Sequence, residues 1–333
     1  MAVVRDVMPG FDLFQPATIE AALELLARYG PEAWVLAGGL DSLEWFKDRI
    51  KRPRVVVDLS QVEELSVIRE VDGGLDIGAM ATLTDVVRHP VVSERFGVLT
   101  HAAESAASPQ IRNQGTIGGN VSQDARCWYY RNGWTCYRAG GNMCYADTPT
   151  GMNREHAIFE ADSCVAVNPS DTAPALVALD AWMFIRNSRG TREVKAQDYF
   201  VGPGYDITRM NVLGPGDLLT SIRIPPTWAG ASFYFEKVRD RQVWDFPLVN
   251  IASAAVFSGD RIESMRLVVN AVAAHPIRLT RVEEAVRGKP RDEATAEMAG
   301  RLAIYGARPL RQNGYKVTLV RNLAKRVIRG KEE

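Results

Sequence analysis

Apolar positions near the start of the chain recur first at helical spacing and then in short unbroken runs. Residues 19–29 place leucines and alanines on one side of a helix, and Thr18 stands where it can cap that helix. Gly30 follows directly and predicts where the helix ends. The next predicted elements are a strand at 33–36, a helix at 41–46 and a strand at 55–59. This order predicts a small α/β unit with a glycine turn between strand and helix.

The middle of the chain alternates apolar segments and turns before its periodicity breaks. The predicted elements are two strands within 65–80 broken by a turn at 72–74, a short helix capped by Thr84, and a helix at 98–107. Residues 111–120 are too rich in glycine to predict a regular element, and 123–164 show no apolar period. A strand at 165–167 and a helix at 171–179 are expected to resume the regular pattern.

The last third of the chain changes from strands to helices. The predicted strands are 182–185, 218–224, 232–238, 250–257 and 265–272, and the predicted helices are 279–286, 292–303 and 316–328. Strands followed by helices predict a separate α+β domain that begins near residue 227. The final helix is strongly basic, which we interpret as a solvated face with cations near a helix C-terminus; its basic residues are Lys316, Arg321, Lys325, Arg326 and Arg329.

Composition and charge narrow the class of protein. The 333 residues are 46% hydrophobic, which is enough for two or three domains with buried cores. The 40 basic and 40 acidic residues cancel, so a broad electrostatic grip on nucleic acid is not expected. The chain has no uninterrupted run of about 18 apolar residues, which is the length needed to span a bilayer. The first fourteen residues lack a long apolar core, so we expect no signal peptide and a cytoplasmic location.

Two glycine-rich segments could hold phosphate groups. Each offers backbone N–H groups with little side-chain bulk, and two such segments in one α/β region suit a cofactor with two phosphates. Neither has the G-x-G-x-x-G spacing of the dinucleotide fingerprint, and Gly-Gly often serves only a steric purpose in a turn. The first segment is Val35, Leu36, Ala37, Gly38, Gly39, Leu40, Asp41 and Ser42, and the second is Thr116, Ile117, Gly118, Gly119 and Asn120.

All four cysteines fall within 38 residues of a long chain, at Cys127, Cys136, Cys144 and Cys164. Such clustering suggests one metal centre, or two disulfides in an oxidising compartment. The eight, seven and nineteen residues between them match neither a zinc ribbon nor a bacterial ferredoxin. An iron–sulfur cluster, structural zinc, disulfides and free thiols all remain open at this point. The four histidines match no motif, and we interpret them as ordinary residues.

Four motifs occur in a fixed order along the chain: Ala37-Gly38-Gly39, residues 111–120, Asn168-Pro169-Ser170-Asp171 and Lys237-Val238-Arg239. Together they resemble the FAD-binding subunit of the molybdenum hydroxylases, the family of xanthine dehydrogenase, carbon monoxide dehydrogenase and aldehyde oxidoreductases. The cysteine segment stands where most members have a short loop. It resembles the 4Fe–4S insertion in the flavin subunits of 4-hydroxybenzoyl-CoA reductase and periplasmic aldehyde oxidoreductase, and the stretch 237–241 favours the latter.

The resemblance implies an α+β fold with three parts. A two-part, PCMH-type α/β FAD-binding domain would cover residues 1–226, divided into 1–60 and 61–226. The iron–sulfur insertion would cover 123–168, and a C-terminal α+β domain would cover 227–333. The resemblance also implies that the first glycine segment holds the FAD pyrophosphate. Ala106 and the second glycine segment would form the second side of the site. Asp171 would bind the adenosine end, Leu219 would pack near the flavin, and Lys237 would hydrogen-bond it. Leu40 replaces the usual threonine, so one hydroxyl contact is lost.

The function implied is electron transfer within a complex. A large partner with the molybdenum cofactor would oxidise an aldehyde or an aromatic heterocycle. A small partner with two 2Fe–2S clusters would pass the electrons to FAD, and the four cysteines would hold the 4Fe–4S cluster. An external acceptor would then receive the electrons. The cytoplasm is the expected location, and the alternative is the periplasm, reached with a partner that carries an export signal. Two other classes stay open: a self-sufficient flavin oxidase and a zinc-stabilised interaction module.

Overall fold

The computed structural model describes residues 8–330, in which three β-sheets carry helices packed against them. The first sheet is parallel. Its elements are β1 (Asp12–Phe14), α1 (Ile19–Tyr29), β2 (Ala33–Leu36), α2 (Ser42–Lys47) and β3 (Val55–Asp58). The strand order β1-β3-β2 places β3 between its two neighbours. Residues 1–7, part of the start expected to lack a signal peptide, lie outside the described residues.

Helix α1 forms for the reasons its sequence suggests. The Thr18 side chain accepts a hydrogen bond from the Ala21 amide at 3.2 Å, and Gly30 ends the helix at a φ of +49°. Its apolar face, which includes Leu23 and Leu26, is buried against the first sheet. The predicted capping and burial of this helix are therefore confirmed.

The second sheet is antiparallel, with the order β4-β5-β8-β6-β7. Its strands are β4 (Ile68–Val71), β5 (Gly74–Gly78), β6 (Trp182–Asn187), β7 (Gly190–Lys195) and β8 (Leu218–Ile224). The helices from this part of the chain are α3 (Leu83–Arg88), α4 (Pro90–Arg95), α5 (Gly97–Glu104), α6 (Pro109–Arg112), α7 (Ile117–Val121), α8 (Trp128–Arg131), α9 (Thr172–Ala178) and α10 (Ala196–Tyr199). Strands β5 and β6, which flank β8, are therefore about a hundred residues apart, and the cysteine segment lies within that interval.

The third sheet is also antiparallel and has three helices after its strands. Its elements are β9 (Ser232–Val238), β10 (Val249–Ser258), β11 (Arg261–Asn270), β12 (Ile277–Arg278), α11 (Thr280–Val286), α12 (Glu293–Ala303) and α13 (Tyr315–Arg329). Helix α9 packs on β10 and β11, so one apolar core joins the second and third sheets. The mixed α+β architecture is thus confirmed. Among the described residues, no helix combines the length and apolarity needed to cross a membrane.

Several local predictions were wrong. Thr82 caps α3, not Thr84, because its side chain and that of Asp85 form a reciprocal capping box. Residues 111–120 do contain regular structure, since they hold the end of α6 and most of α7. The strand expected at 165–167 is a single bridge between Arg126 and Val167. Strand β7 was not predicted, because its residues are polar and mostly exposed.

The interpretation of the last helix also needs correction. Lys316 is fully buried, so it does not belong to a solvated face. The other basic residues of α13 are paired with carboxylates: Arg321 and Lys325 with Glu297, Arg326 with Glu236, and Arg329 with Glu293. These ion pairs join α13 to α12 and β9. The three arginines remain substantially exposed, as a solvated face requires, so only Lys316 and the largely buried Lys325 depart from the interpretation.

Candidate functional site

The first glycine segment forms the turn between β2 and α2. Gly39 adopts a φ of +77°, where a side chain would be strained. A Cβ on Gly38 would stand 2.3 Å from the carbonyl oxygen of Gln114, so only glycine allows this approach. Within residues 8–330, the amides of Gly38, Gly39, Leu40 and Asp41 donate to no protein acceptor. Four consecutive N–H groups therefore remain available to an anion such as a pyrophosphate.

The second glycine segment uses its amides differently. Thr116 caps α7 by accepting a hydrogen bond from the Gly119 amide at 3.0 Å. The other three amides of α7 that were expected to face a cofactor donate to carbonyl oxygens of Ala81, Ala79 and Thr116. A Cβ on Gly118 would stand 2.6 Å from the Ala79 oxygen, so this glycine permits close packing on the second sheet. The expectation that this loop supplies free amides is therefore corrected.

The two glycine segments lie against each other. The Gln114 side chain donates to the carbonyl oxygen of Gly38 at 2.8 Å. A Cβ on Gly119 would stand 3.6 Å from the Cβ of Ala37, and one on Gly115 would stand 3.4 Å from Leu40. The pairing expected of a site for a two-phosphate cofactor is thus present in the fold. The residues present fit FAD for two reasons: the two glycine segments pack closely against each other, and the amides of the first segment have no protein acceptor.

Asp171 and Lys237 form one buried ion pair. Lys237 Nζ stands 2.7 Å from Asp171 Oδ2 and also donates to the carbonyl oxygens of Ser105 and Asp245. Asn250 donates to the other carboxylate oxygen at 3.2 Å. Burial raises the pKa of Asp171, and the Lys237 ammonium opposes that rise. The two side chains are therefore in direct contact, whereas the resemblance assigns Asp171 to the adenosine end and Lys237 to the flavin.

Hydrogen bonds connect the second glycine segment to this ion pair. Asn120 Oδ1 accepts from the hydroxyls of Ser170 at 2.6 Å and Thr172 at 2.7 Å, the two neighbours of Asp171. Ala106 follows Ser105, whose carbonyl oxygen accepts from Lys237. Leu219 is buried in β8 within the same apolar core as Ala106. The structure therefore brings the expected residues of the 116–120 segment, Asp171, Lys237 and Ala106 into one region.

The four cysteines converge as expected. All four are free thiols, so the disulfide alternative is not seen, and they line one cavity that is otherwise mainly aromatic and apolar. The lining residues are Cys127, Cys136, Cys144 and Cys164 with Tyr129, Tyr130, Tyr137, Tyr145 and their neighbours. The donor set and its convergence fit a 4Fe–4S cluster, which takes four thiolates.

Two of the cysteine sulfurs are largely buried, and backbone amides of neighbouring residues point toward them. Burial raises the pKa of Cys127 to about 12, although the amides of Tyr130 and Tyr129 donate to its sulfur and oppose the rise. Burial also raises the pKa of Cys164, against the amide of Ala166. A thiol with a raised pKa becomes a thiolate only when a cation replaces its proton, so metal binding here would release protons.

A single metal ion finds little support. Among the residues that the structure describes, no three His, Cys, Asp or Glu side chains stand close enough together to hold one ion. The four thiols therefore share one cavity, but among the described residues they do not form the ligand shell of a metal ion.

Charged residues that the sequence analysis did not single out fix the cysteine segment to the first sheet. Asp124 pairs with Arg138 and, at 3.3 Å, with Lys51. Burial raises the pKa of Asp124, but the two cations outweigh it and the pKa is lowered overall. Arg131 pairs with Asp41 of the first glycine segment at 2.9 Å. No spacing rule relates these residues, because the partners are 14, 73 and 90 positions apart and meet only in the fold.

Two family models match successive parts of the chain. Residues 9–227 match the FAD binding domain in molybdopterin dehydrogenase, and residues 233–330 match the CO dehydrogenase flavoprotein C-terminal domain.

Similarity to known proteins and to solved structures covers nearly the whole chain. The aldehyde oxidoreductase FAD-binding subunit PaoB of Escherichia coli (strain K12) is 32% identical over 320 residues, 93% of this chain and 94% of that protein. The carbon monoxide dehydrogenase medium chain of Hydrogenophaga pseudoflava is 26% identical and covers 97% of both chains. A structure of carbon monoxide dehydrogenase from the same organism superposes with a TM-score of 0.77, at 25% identity over 96% of each chain. Quinoline 2-oxidoreductase from Pseudomonas putida 86 gives 0.76 at 25% identity, covering 97% of this chain and 96% of that one.

Proposed function

Because this chain belongs to the family of FAD-binding subunits of molybdopterin dehydrogenases, we propose that it is the electron-transfer flavoprotein of a molybdenum hydroxylase complex. In this proposal it binds one FAD and one 4Fe–4S cluster. Electrons arrive from a small partner with two 2Fe–2S clusters and leave to an external acceptor. The substrate, an aldehyde or an aromatic heterocycle, is oxidised on a large partner that holds the molybdenum cofactor.

The contact between the two glycine segments carries the FAD part of the proposal. The unbonded amides from Gly38 to Asp41 would hold the pyrophosphate, and the Gln114–Gly38 hydrogen bond keeps their loop against the second segment. The buried Asp171–Lys237 pair would stabilise this side of the site, because Ser170 and Thr172, the neighbours of Asp171, bond to Asn120 of the second segment. FAD suits the role because it accepts electrons singly and delivers them in pairs. The residues of this chain bind and orient it, and none needs to act as a general base.

The convergence of all four cysteines on one cavity supports the cluster part. Amides of Tyr129, Tyr130 and Ala166 donate to two of the sulfurs, and hydrogen bonds of this kind adjust the potentials of iron–sulfur clusters. The tyrosines around the cavity would limit the access of water. A cluster here would be an additional one-electron carrier beside FAD, held by Cys127, Cys136, Cys144 and Cys164.

Cofactor content tests the proposal. The full chain, purified anaerobically, should release about one noncovalent FAD on denaturation and contain about four irons with acid-labile sulfide. Cys136→Ser should lose most of the iron, because one of four required thiolates is gone, while FAD is retained. Ser163→Ala is the matched control, since Ser163 lines the same cavity without a thiol and its variant should keep the iron.

Each part of the proposal can fail separately. A folded chain without flavin would contradict the FAD site, and zinc without labile sulfide would contradict the cluster. Affinity capture of the full chain from its own cells should recover a molybdenum-containing large chain and an iron–sulfur small chain. Oxidation of an aldehyde by the isolated chain would instead support the self-sufficient oxidase.

A further inference from the structure

His156, to which the sequence analysis gave no role, contacts one of the four cysteines. Its Nε2 stands 3.3 Å from the sulfur of Cys127, and the side chain is only 1% exposed. Its other ring nitrogen, Nδ1, is buried and has no hydrogen-bond partner. The contact with Cys127 is therefore the polar contact that its ring makes among the described residues.

The imidazole of His156 contacts Cys127 from a different cavity than the one that the four thiols share. Cys127 lines two cavities: the one shared by all the cysteines, and a neighbouring cavity of about 290 Å³ next to α2. His156 lines only the second cavity. His156 therefore contacts Cys127 from the second cavity, whereas the four thiols share the first.

Side chains of the C-terminal domain fix the backbone on both sides of His156 through hydrogen bonds. Asn313, fully buried, donates to the carbonyl oxygens of His156 and Ala157, both at 3.0 Å. Lys316 donates to the carbonyl oxygens of Glu155 and Ala271, both at 2.8 Å. Three consecutive carbonyl groups around the histidine are thus fixed by two side chains at the start of α13, so the backbone that carries the ring cannot easily move away from Cys127.

We propose that His156 is a positioning residue that donates its Nε2–H to the sulfur of Cys127 and thereby raises the reduction potential of the centre held by the four cysteines. The inference rests on the proposed cluster. A sulfur bound to iron has no proton, so it can only accept, and the histidine must be the donor. Hydrogen bonds to charged acceptors are stronger, and reduction adds negative charge that the sulfurs share. The reduced state is therefore stabilised more than the oxidised state.

Potential measurements on matched variants test this role. His156→Phe keeps a flat ring but removes the donor, whereas His156→Gln retains an N–H that can reach the sulfur. An EPR-monitored redox titration of the full chain should give a lower midpoint potential for the Phe variant and a smaller change for the Gln variant. His89→Gln, a histidine with a buried, unpartnered Nδ1 elsewhere, should leave the potential unchanged. A Phe variant with full iron content and the wild-type potential would overturn the proposal.

A measurement on the wild type decides the question if the Phe variant loses its cluster. The chain is labelled with ¹⁵N-histidine, reduced, and studied by pulsed EPR in H₂O and in D₂O. A histidine nitrogen coupling together with an exchangeable proton is expected, and the absence of both overturns the assignment. Failure of the cluster itself is recognised separately, because the wild type would then contain neither iron nor labile sulfide.

Discussion

Replacement of Gly38 by alanine should weaken FAD binding more than any change of similar size outside the loop. The new Cβ would stand 2.3 Å from the Gln114 carbonyl oxygen, where ordinary contact begins at 3.4 Å, so one segment must move by about 1 Å. Overpacking of this kind costs about 1–3 kcal/mol. Because Gly38 begins the run of unbonded amides, that movement would displace the groups proposed to hold the pyrophosphate.

The expected effect can be given as an affinity. If the loop relaxes in the free protein and must be strained to bind FAD, about 1–3 kcal/mol corresponds to a roughly 5- to 150-fold rise in Kd. Flavin fluorescence on titration of the apoprotein measures it directly. Gly204→Ala is the control, because a Cβ there meets nothing within 4 Å and φ is not positive. An unchanged Kd in a Gly38→Ala protein of normal stability would refute the assignment of this loop to FAD.

Three further predictions follow from particular contacts. Gly119→Val should lower flavin occupancy more than Gly119→Ala, because valine adds methyl groups toward the Cβ of Ala37, already 3.6 Å from an ideal Cβ; flavin per chain after gel filtration measures this. Asp171→Asn should destabilise the fold by about 3–5 kcal/mol by leaving Lys237 buried without a counter-ion, and adding Lys237→Met should recover urea stability but not FAD. Burial lowers the pKa of Lys316 to about 7 from an ordinary 10.5, so between those values the unfolded chain binds more protons and stability rises with pH by up to about 1.4 kcal/mol per unit. Lys316→Met should lack this slope, and urea midpoints of variant and wild type that stay parallel from pH 7.5 to 9.5 would contradict the reasoning.

Sequence patterns predicted the elements that are fixed by local periodicity. The helix at 19–29 and the strands of the third sheet follow apolar spacing, and their burial in the structure agrees with it. Strand β7 could not be found this way, because its exposed polar residues belong to a sheet edge whose pairing with β6 is decided by the fold. The cap at Thr82 was missed because Thr82 and Thr84 are equally plausible by residue type. Only the reciprocal bond with Asp85 distinguishes them.

The sequence analysis named the residues of the candidate site, but it did not predict most of the contacts that they make. Both glycine segments and the four cysteines could be singled out from the sequence, although their residue types alone left several uses open. Hydrogen-bond partners were not recognisable. The amides of α7 are taken by Ala79 and Ala81, and Lys237 is taken by Asp171, through contacts that only the tertiary structure creates. The contact of His156 with Cys127 was not predicted for the same reason, because the two residues are 29 positions apart in the sequence.

The cysteine segment shares an apolar cluster with the first sheet, and polar contacts join it to the first glycine segment and to the C-terminal domain. On one side Arg131 pairs with Asp41, within the glycine segment proposed to hold FAD. On the other side Lys316 holds the backbone beside His156 from the C-terminal domain. Both links are substantially buried, so breaking either leaves a charge or carbonyl groups without partners, which is costly. A change at Cys127 is therefore expected to affect the loop proposed to hold FAD more than their separation in sequence suggests, because buried contacts join the two segments.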